Sequence, residues 1–201
     1  MALTTVVPNT AILIVDDEVS LRNTFSIFLK REGYETVIAV GSFDEAVEAV
    51  SSRMFDLIIC DIVLESSSGI DLLAKFRLLD VDCPVVLVTG FPEVETASEA
   101  VRLGAFDYLP KPVEKEALLK TARLAIRQYL LEKEKREAEL AKEHYRHFLE
   151  TIFKSVSDCI ISVDPQLSIL KVNRATRLLF NDQPAFNEGG NLNILHLSLI
   201  H

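Results

Sequence analysis

The chain has 201 residues, 49% hydrophobic and 25% charged, with only 7 Gly and 7 Pro, which excludes a disordered, collagenous or low-complexity protein. Its 30 acidic and 21 basic side chains leave a net charge of −9, so these residues lack the cationic surplus that drives nucleic-acid binding. No apolar run approaches the roughly 18 residues of a membrane span, and the first eight residues lack the basic-then-apolar order of a secretory signal. Cys60, Cys83 and Cys159 are odd in number and widely spaced, with neither metal-site spacing nor a disulfide framework, so a reducing, cytoplasmic setting is expected. Charge is uneven along the chain. Residues 1–113 carry 18 acidic and 8 basic side chains, residues 114–153 carry 8 and 9, and the remaining 48 carry four of each. Three regions with different logic follow.

In chain order, the first region alternates short apolar runs with amphipathic segments. Ala11–Val15 ends in Asp16-Asp17, Phe55–Cys60 ends in Asp61, and Pro84–Val88 ends in Thr89. Each run is β-branched and apolar on both faces, the pattern of a strand buried between two helical layers. Thr36–Val40 and Phe106–Leu109 are weaker strands of the same kind. Between them, Leu21, Phe25, Phe28 and Leu29 repeat at helical spacing and stop at Gly33. Phe43, Ala46, Val47 and Val50 repeat likewise behind the N-cap Ser42, followed by stripes through Ile70, Leu73 and Phe76 and through Ala97, Ala100 and Val101. Five strand–helix alternations predict a parallel sheet covered on both faces.

In such a sheet ligands bind beyond the carboxyl ends of the strands. The residues there are Asp16 and Asp17, Asp61, Thr89 and, after the fifth strand, Lys111. Neighbouring strands lie about 4.8 Å apart, so these side chains converge. Two carboxylates about 4 Å apart repel by about 4 kcal/mol at an effective dielectric of 20. Three held together therefore take up protons or a cation, and an all-oxygen, partly hydrated site suits Mg2+. With an ammonium and a hydroxyl alongside, the set forms a site for an incoming phosphoryl group, with one carboxylate as nucleophile. Any one of these residues alone is an ordinary turn former, cap or surface charge. Their joint placement carries the reading.

The set Asp16-Asp17, Asp61, Thr89 and Phe106-Asp-Tyr-Leu-Pro-Lys111-Pro112 resembles the receiver domain of two-component response regulators, over roughly residues 9–130. The resemblance implies a flavodoxin-like (βα)5 doubly wound α/β fold. It implies that Asp61 accepts a phosphoryl group from a histidine kinase. Mg2+ would be held by the side chains of Asp17 and Asp61 and the backbone carbonyl of Val63, with Asp16 acting through water. Lys111 would pair with the phosphoryl group or with Asp61, Thr89 and Tyr108 would form a switch pair, and the bond before Pro112 would be cis. Glu65 departs from the family, which usually has Pro there, so the Glu65–Gly69 loop is expected to be more mobile. Val63 and Phe91, each two residues past a site residue, are expected to slow loss of the phosphoryl group.

The middle region, from Glu114 to about Phe153, contains no Gly or Pro and is rich in strong helix formers. Unbroken, it spans about 60 Å, far more than a receiver needs. Its first half is read as the last receiver helix and its second half as a projecting linker. A heptad register through Leu119, Ala122, Ile126, Tyr129, Lys133, Arg136, Leu140 and Glu143 is apolar at five of eight positions, with a stutter near His144 and Phe148. This predicts a parallel dimeric coiled coil, against a solitary helix supported by i,i+4 pairs such as Glu132–Arg136. His144 and His147 read as solvated residues.

In the third region Cys159–Val163 and Leu167–Val172 read as strands joined by an Asp164 turn, with a short helix capped by Asn173. This order resembles the N-terminal part of a PAS domain. Residues 181–201 look loop-like, and so the α+β segment is expected to be incomplete. The expected organisation is a receiver at 1–129, a helical linker at 130–147 and a truncated PAS-like segment at 148–201. Functionally this describes a response regulator: a phosphoacceptor rather than an enzyme. A cognate histidine kinase is its partner, and it would dimerise through the long helix and through the surface made by the fourth helix, fifth strand and fifth helix, with neither membrane nor nucleic acid as partner of these residues. Two other readings are a Mg2+-dependent phosphohydrolase with an aspartyl-phosphate intermediate and a passive dimerising scaffold. The first is disfavoured because its acidic pair belongs on the nucleophile strand, the second because no site position is lost.

Overall fold

A computed structural model describes residues 9–65, 67–180 and 189–190. The readings of residues 1–8, of Ser66, and of 181–201 apart from Gly189 and Gly190 lie outside the described residues. The chain divides into two compact units, residues 1–134 and 135–201.

The first unit is built on five parallel strands, β1 (Ala11–Val15), β2 (Thr36–Val40), β3 (Leu57–Asp61), β6 (Val85–Thr89) and β7 (Asp107–Pro110), in the order β2-β1-β3-β6-β7. The three central strands are buried along their whole length. Their side chains divide by the two-residue period of a strand. Leu13, Val15, Ile58, Cys60, Val85 and Leu87 enter one core, while Ile12, Ile14, Leu57, Ile59, Val86 and Val88 enter the other. The first core is closed by Ala46 of α2 (Phe43–Ser52), Leu72, Leu73 and Phe76 of α3 (Gly69–Leu78), and Ala100 of α4 (Val94–Arg102). The second is closed by Phe25 and Leu29 of α1 (Val19–Glu32) and by Leu118, Leu119, Ala122, Ala125 and Ile126 of α5 (Lys115–Ser155). This is the doubly wound α/β architecture expected from the sequence. The helix starts and stops follow local chemistry: Ser42 caps α2 through Glu45 N–H, and Gly33 ends α1 at φ 111°, in the left-handed region that glycine enters without strain.

Three features differ from the sequence reading. The segment after Asp61 is not a plain loop, because Val63–Leu64 (β4) pairs antiparallel with Ser67–Ser68 (β5). Leu119, Ala122 and Ile126, the first three members of the expected heptad register, are buried against the sheet. That part of the register is therefore spent within the receiver and cannot face a second helix. The long helix itself is continuous from Lys115 to Ser155, two residues longer than expected at its C-terminal end.

In the second unit, β8 (Ile161–Val163) pairs antiparallel with β9 (Ile169–Val172), followed by α6 (Arg174–Leu179). The turn is organised by Asp164, whose Oδ1 accepts from Gln166 N–H at 2.9 Å and Ser168 N–H at 2.8 Å. Asn173 is buried and satisfied on all sides. Its amide donates to the carbonyls of Val156 and Asp158, and its Oδ1 accepts from Ile160 N–H and from the N–H and hydroxyl of Thr176. Gly189 and Gly190 bond the backbone of Ile169, extending β9's pairing beyond the hairpin.

Cys60 and Cys83 are buried and Cys159 is exposed. Burial pushes the Cys60 thiol up and that of Cys83 up to about 12, so both stay protonated and inert at neutral pH. Among the described residues no helix is long and apolar enough to cross a membrane.

One polar side chain ties the end of the sheet remote from the acidic strand ends. The Arg77 guanidinium donates to the carbonyls of Val81 (2.6 Å), Gly104 (2.8 Å), Leu103 (3.3 Å) and Cys83 (3.4 Å), joining the turn after α3 to the turn after α4. Planar five-donor geometry suits this task and a lysine cannot reproduce it. Arg77→Met is expected to lower unfolding free energy by about 2 kcal/mol, with Arg77→Lys recovering little, as read by urea denaturation.

Candidate phosphoacceptor site

The strand order reverses direction at β1, so β1 and β3 lie side by side while their following helices leave to opposite faces. That opens a crevice at their carboxyl ends. The register Val15↔Cys60 places Asp16 and Asp17 across from Asp61. One carboxylate oxygen from each of Asp16, Asp17 and Asp61 lies within 4.8 Å of the others. Asp16 and Asp61 are 1% and 5% exposed, and Asp17 is more open.

Backbone pairing brings in the cation. Lys111 N–H donates to the Thr89 carbonyl at 2.6 Å, seating Lys111 beside the end of β6, and the Lys111–Pro112 bond is cis. From there Lys111 Nζ reaches Asp61 Oδ2 at 2.7 Å and Asp16 Oδ2 at 3.0 Å. Burial pushes the Asp16 carboxyl above its ordinary value, against the lowering effect of Lys111 and of Glu18 N–H, which donates to Oδ1 at 2.8 Å. Burial opposes the Lys111 ammonium, yet its hydrogen bonds to Asp61 and Asp16 prevail and raise its pKa. With all three carboxylates ionised, one ammonium leaves two negative charges in the crevice. An all-oxygen donor set with that excess fits a hard divalent cation.

The Asp61 backbone is held as firmly as its side chain. Ile62 N–H donates to the Val88 carbonyl and Gly69 N–H to the Ile62 carbonyl, both at 2.8 Å. A Cβ on Gly69 would stand 2.1 Å from the Asp61 carbonyl oxygen, so only glycine allows α3 to start this close to Asp61. Val63 N–H donates to Asp61 Oδ1 at 3.3 Å. Arg22 of α1 donates to the Asp16 carbonyl, anchoring the other wall.

Thr89 is buried at the end of β6, its hydroxyl bonded to the N–H of Phe91 at 3.1 Å and its carbonyl at 3.2 Å. Tyr108 lies across from Leu87 on β7, and its hydroxyl bonds that of Thr96 on α4 at 2.9 Å. The structure thus brings Asp16, Asp17, Asp61 and Lys111 together and places Thr89 at the adjacent strand end, while Tyr108 is tied to α4. Gly69, Arg22 and Thr96 are the residues sequence reasoning missed. The glycine eight residues after Asp61, opening a helix, was a usable signal for Gly69. The other two depend on side-chain directions.

Asp16 gives a test with a definite sign. Its folded pKa is raised, so its contribution to stability is present in acid and lost as pH rises through that pKa. Replacing it leaves Lys111 paired with Asp61. In metal-free buffer at pH 7, Asp16→Asn is expected to raise the thermal midpoint by about 2–4 °C, with the gain closing toward pH 4, as read by thermal melts with a chelator present.

Comparison with known proteins agrees with this geometry. Residues 12–123 match the family described as response regulator receiver domain. The chain is 37% identical over 118 residues to the transcriptional regulatory protein ZraR of Escherichia coli O157:H7, covering 59% of this chain and 26% of ZraR. It is 38% identical over 133 residues to the alginate biosynthesis transcriptional regulatory protein AlgB of Pseudomonas putida, covering 65% of this chain and 30% of AlgB. The chain thus spans about a quarter to a third of the length of these curated relatives. The CheY-like response regulator receiver domain protein of Methanospirillum hungatei superposes with a TM-score of 0.59 at 28% identity, covering 61% of this chain and 98% of that one. A family match over more than half the chain, laid on the same sheet and the same acidic crevice, establishes that this chain belongs to the response regulator receiver domain family.

Proposed function

We propose that this two-component receiver is a stoichiometric phosphoacceptor that takes a phosphoryl group from a histidine kinase on Asp61. The observation that carries the reading is the Lys111 ammonium clasped between Asp61 and Asp16, with Asp17 beside them, at the switch point of the sheet. Asp17 and Asp61 would hold Mg2+ by their side chains, Val63 by its backbone carbonyl and Asp16 through water. When bound, the ion neutralises and orients the phosphoryl oxygens.

An Asp61 oxygen attacks phosphorus. The new P–O bond forms as the P–N bond of the kinase phosphohistidine breaks and the imidazole leaves. Lys111 pairs with a phosphoryl oxygen, compensating the charge that arrives. Thr89 exchanges its bonds to the Phe91 backbone for one to the phosphoryl group, and Tyr108 releases Thr96 and swings inward. These local changes repack α4, β7 and α5, the bistable element of the switch. Val94, Val101 and Leu124 are exposed on those elements, and this surface together with α5 is the proposed homodimer contact.

The chemistry is the protein's own transfer and autodephosphorylation, not turnover of a substrate. A phosphohydrolase reading finds no support, since Asp16 and Asp17 are adjacent and follow β1 rather than flanking the nucleophile on β3. The hairpin β8–β9, the Asn173 cap and α6 support reading residues 148–201 as the opening part of a PAS-like segment. The relatives' names support an output in transcriptional control, and a cytoplasmic location fits partnership with a kinase and two protonated buried thiols.

Acetyl phosphate with Mg2+ is expected to label the wild-type chain with one phosphoryl group. Asp61→Asn or a chelator abolishes the label, and an Asp61→Asn chain labelled as well as wild type overturns the reading. Val63 and Phe91, both exposed two residues past Asp61 and Thr89, would screen the acyl phosphate from water. Phe91→Ala and Val63→Asn are each expected to speed dephosphorylation by about tenfold, as measured by release of inorganic phosphate.

A further inference from the structure

Of the three carboxylates in the crevice, Asp17 is the one aimed by backbone alone. Asp16 and Asp61 are each bonded to Lys111. Among the described residues the Asp17 side chain takes part in no hydrogen bond or ion pair, yet one of its oxygens lies within 4.8 Å of an oxygen of each of the other two. Its direction is therefore set by the peptide that joins it to Asp16. Every polar handle around that peptide is engaged. Asp16 N–H donates to the Val40 carbonyl at 3.2 Å, and Asp16 Oδ1 accepts from Glu18 N–H at 2.8 Å. The Asp16 carbonyl oxygen, which belongs to the peptide itself, accepts from Nη1 of Arg22 in the first turn of α1.

Arg22 spends its guanidinium on this one carbonyl. Among the described residues no carboxylate lies within ion-pair distance of it, so the cation does not neutralise the acidic crevice by pairing. The turn between β2 and α2 leaves room for it. A Cβ on Gly41 would stand 3.0 Å from Arg22 Nη1 and 3.3 Å from its Cζ, closer than side chains ordinarily pack. Gly41 is not in the left-handed region, so the turn itself does not call for glycine. What the missing side chain supplies is space for the guanidinium.

We propose that Arg22 is a positioning residue for the cation site, locking the Asp16–Asp17 peptide so that the Asp17 carboxylate stays aimed at Asp61, with Gly41 left bare to admit it. The inference rests on the reading of Asp17 and Asp61 as Mg2+ ligands. A charge-assisted bond to a carbonyl is a strong one, and groups that orient a metal ligand without touching the metal commonly govern affinity by tenfold to a hundredfold. The sign separates this role from a simple field effect. Arg22 is a cation beside a cation site, so by charge alone its removal would tighten Mg2+ binding. A positioning residue has the opposite effect.

Mg2+ alone, titrated calorimetrically into the unphosphorylated chain, reads the effect without phosphodonor. Arg22→Met is expected to weaken Mg2+ binding by about tenfold or more. Gly41→Val keeps the arginine but pushes its guanidinium off the carbonyl, and weakens binding by a similar factor. The two together weaken it no further than Arg22→Met does, because both break the same bond. Urea denaturation with a chelator present checks that each variant is folded, and if Arg22→Met is not, Gly41→Val carries the test. A wild-type chain that takes up no Mg2+ overturns the metal reading and this inference with it. A wild type that binds Mg2+ overturns this inference alone if Arg22→Met or Gly41→Val binds as well or more tightly, or if the two losses add in full.

Discussion

Three carboxylates and one ammonium in a crevice about as wide as a strand spacing set the terms for the first unit. Like charges this close repel by several kcal/mol, and Asp16 and Asp61 are almost wholly removed from water. Lys111 makes the arrangement tenable by bonding both of them. Its position depends in turn on the β6–β7 ladder and on the backbone bond to Thr89. The sheet therefore does more than support the site. Its register decides that residues 16, 61 and 111, which are 45 to 95 positions apart in sequence, share one charge balance. The remaining excess of negative charge is what makes the crevice receptive to a cation, and burial of Asp16 among these groups pushes its carboxyl above the ordinary value.

That balance couples the site to its surroundings. Thr89 and Lys111 end neighbouring strands, and Thr89's hydroxyl is committed to the Phe91 backbone that leads into α4. Tyr108 is committed to Thr96 on the same helix. The hydroxyls of Thr89 and Tyr108 are thus each bonded to α4 or to the segment that leads into it. A ligand that offers Thr89 a stronger, charge-assisted acceptor competes directly with the bonds that fix the start of α4. The switch reading gains its physical content from these exchanges of partner, not from proximity.

The sequence made the sheet and the charged strand ends legible because both are consequences of short-range pattern. Doubly apolar runs such as Leu57–Cys60 can only be central strands, and polar residues that follow them can only lie at their ends. Thr89 and Lys111 were found by the same logic as Asp61. What escaped was set by direction or by shortness. Two-residue strands, Val63–Leu64 and Ser67–Ser68, carry no periodicity to detect. Thr96 and Arg22 matter through where their side chains point. Arg77 carries no pattern in the sequence that marks its role, yet it serves four carbonyls from two turns. Gly69 was visible as a residue but not as a necessity, since only the fold reveals the Asp61 carbonyl beside it.

The long helix shows why periodicity alone misassigns partners. Between Lys115 and Ser155 the sequence offers apolar residues on more than one stripe, and a heptad count cannot tell which stripe the domain itself will bury. Leu119, Ala122 and Ile126 have the spacing of a seam, yet a helix must first satisfy the sheet it covers, and they are buried there.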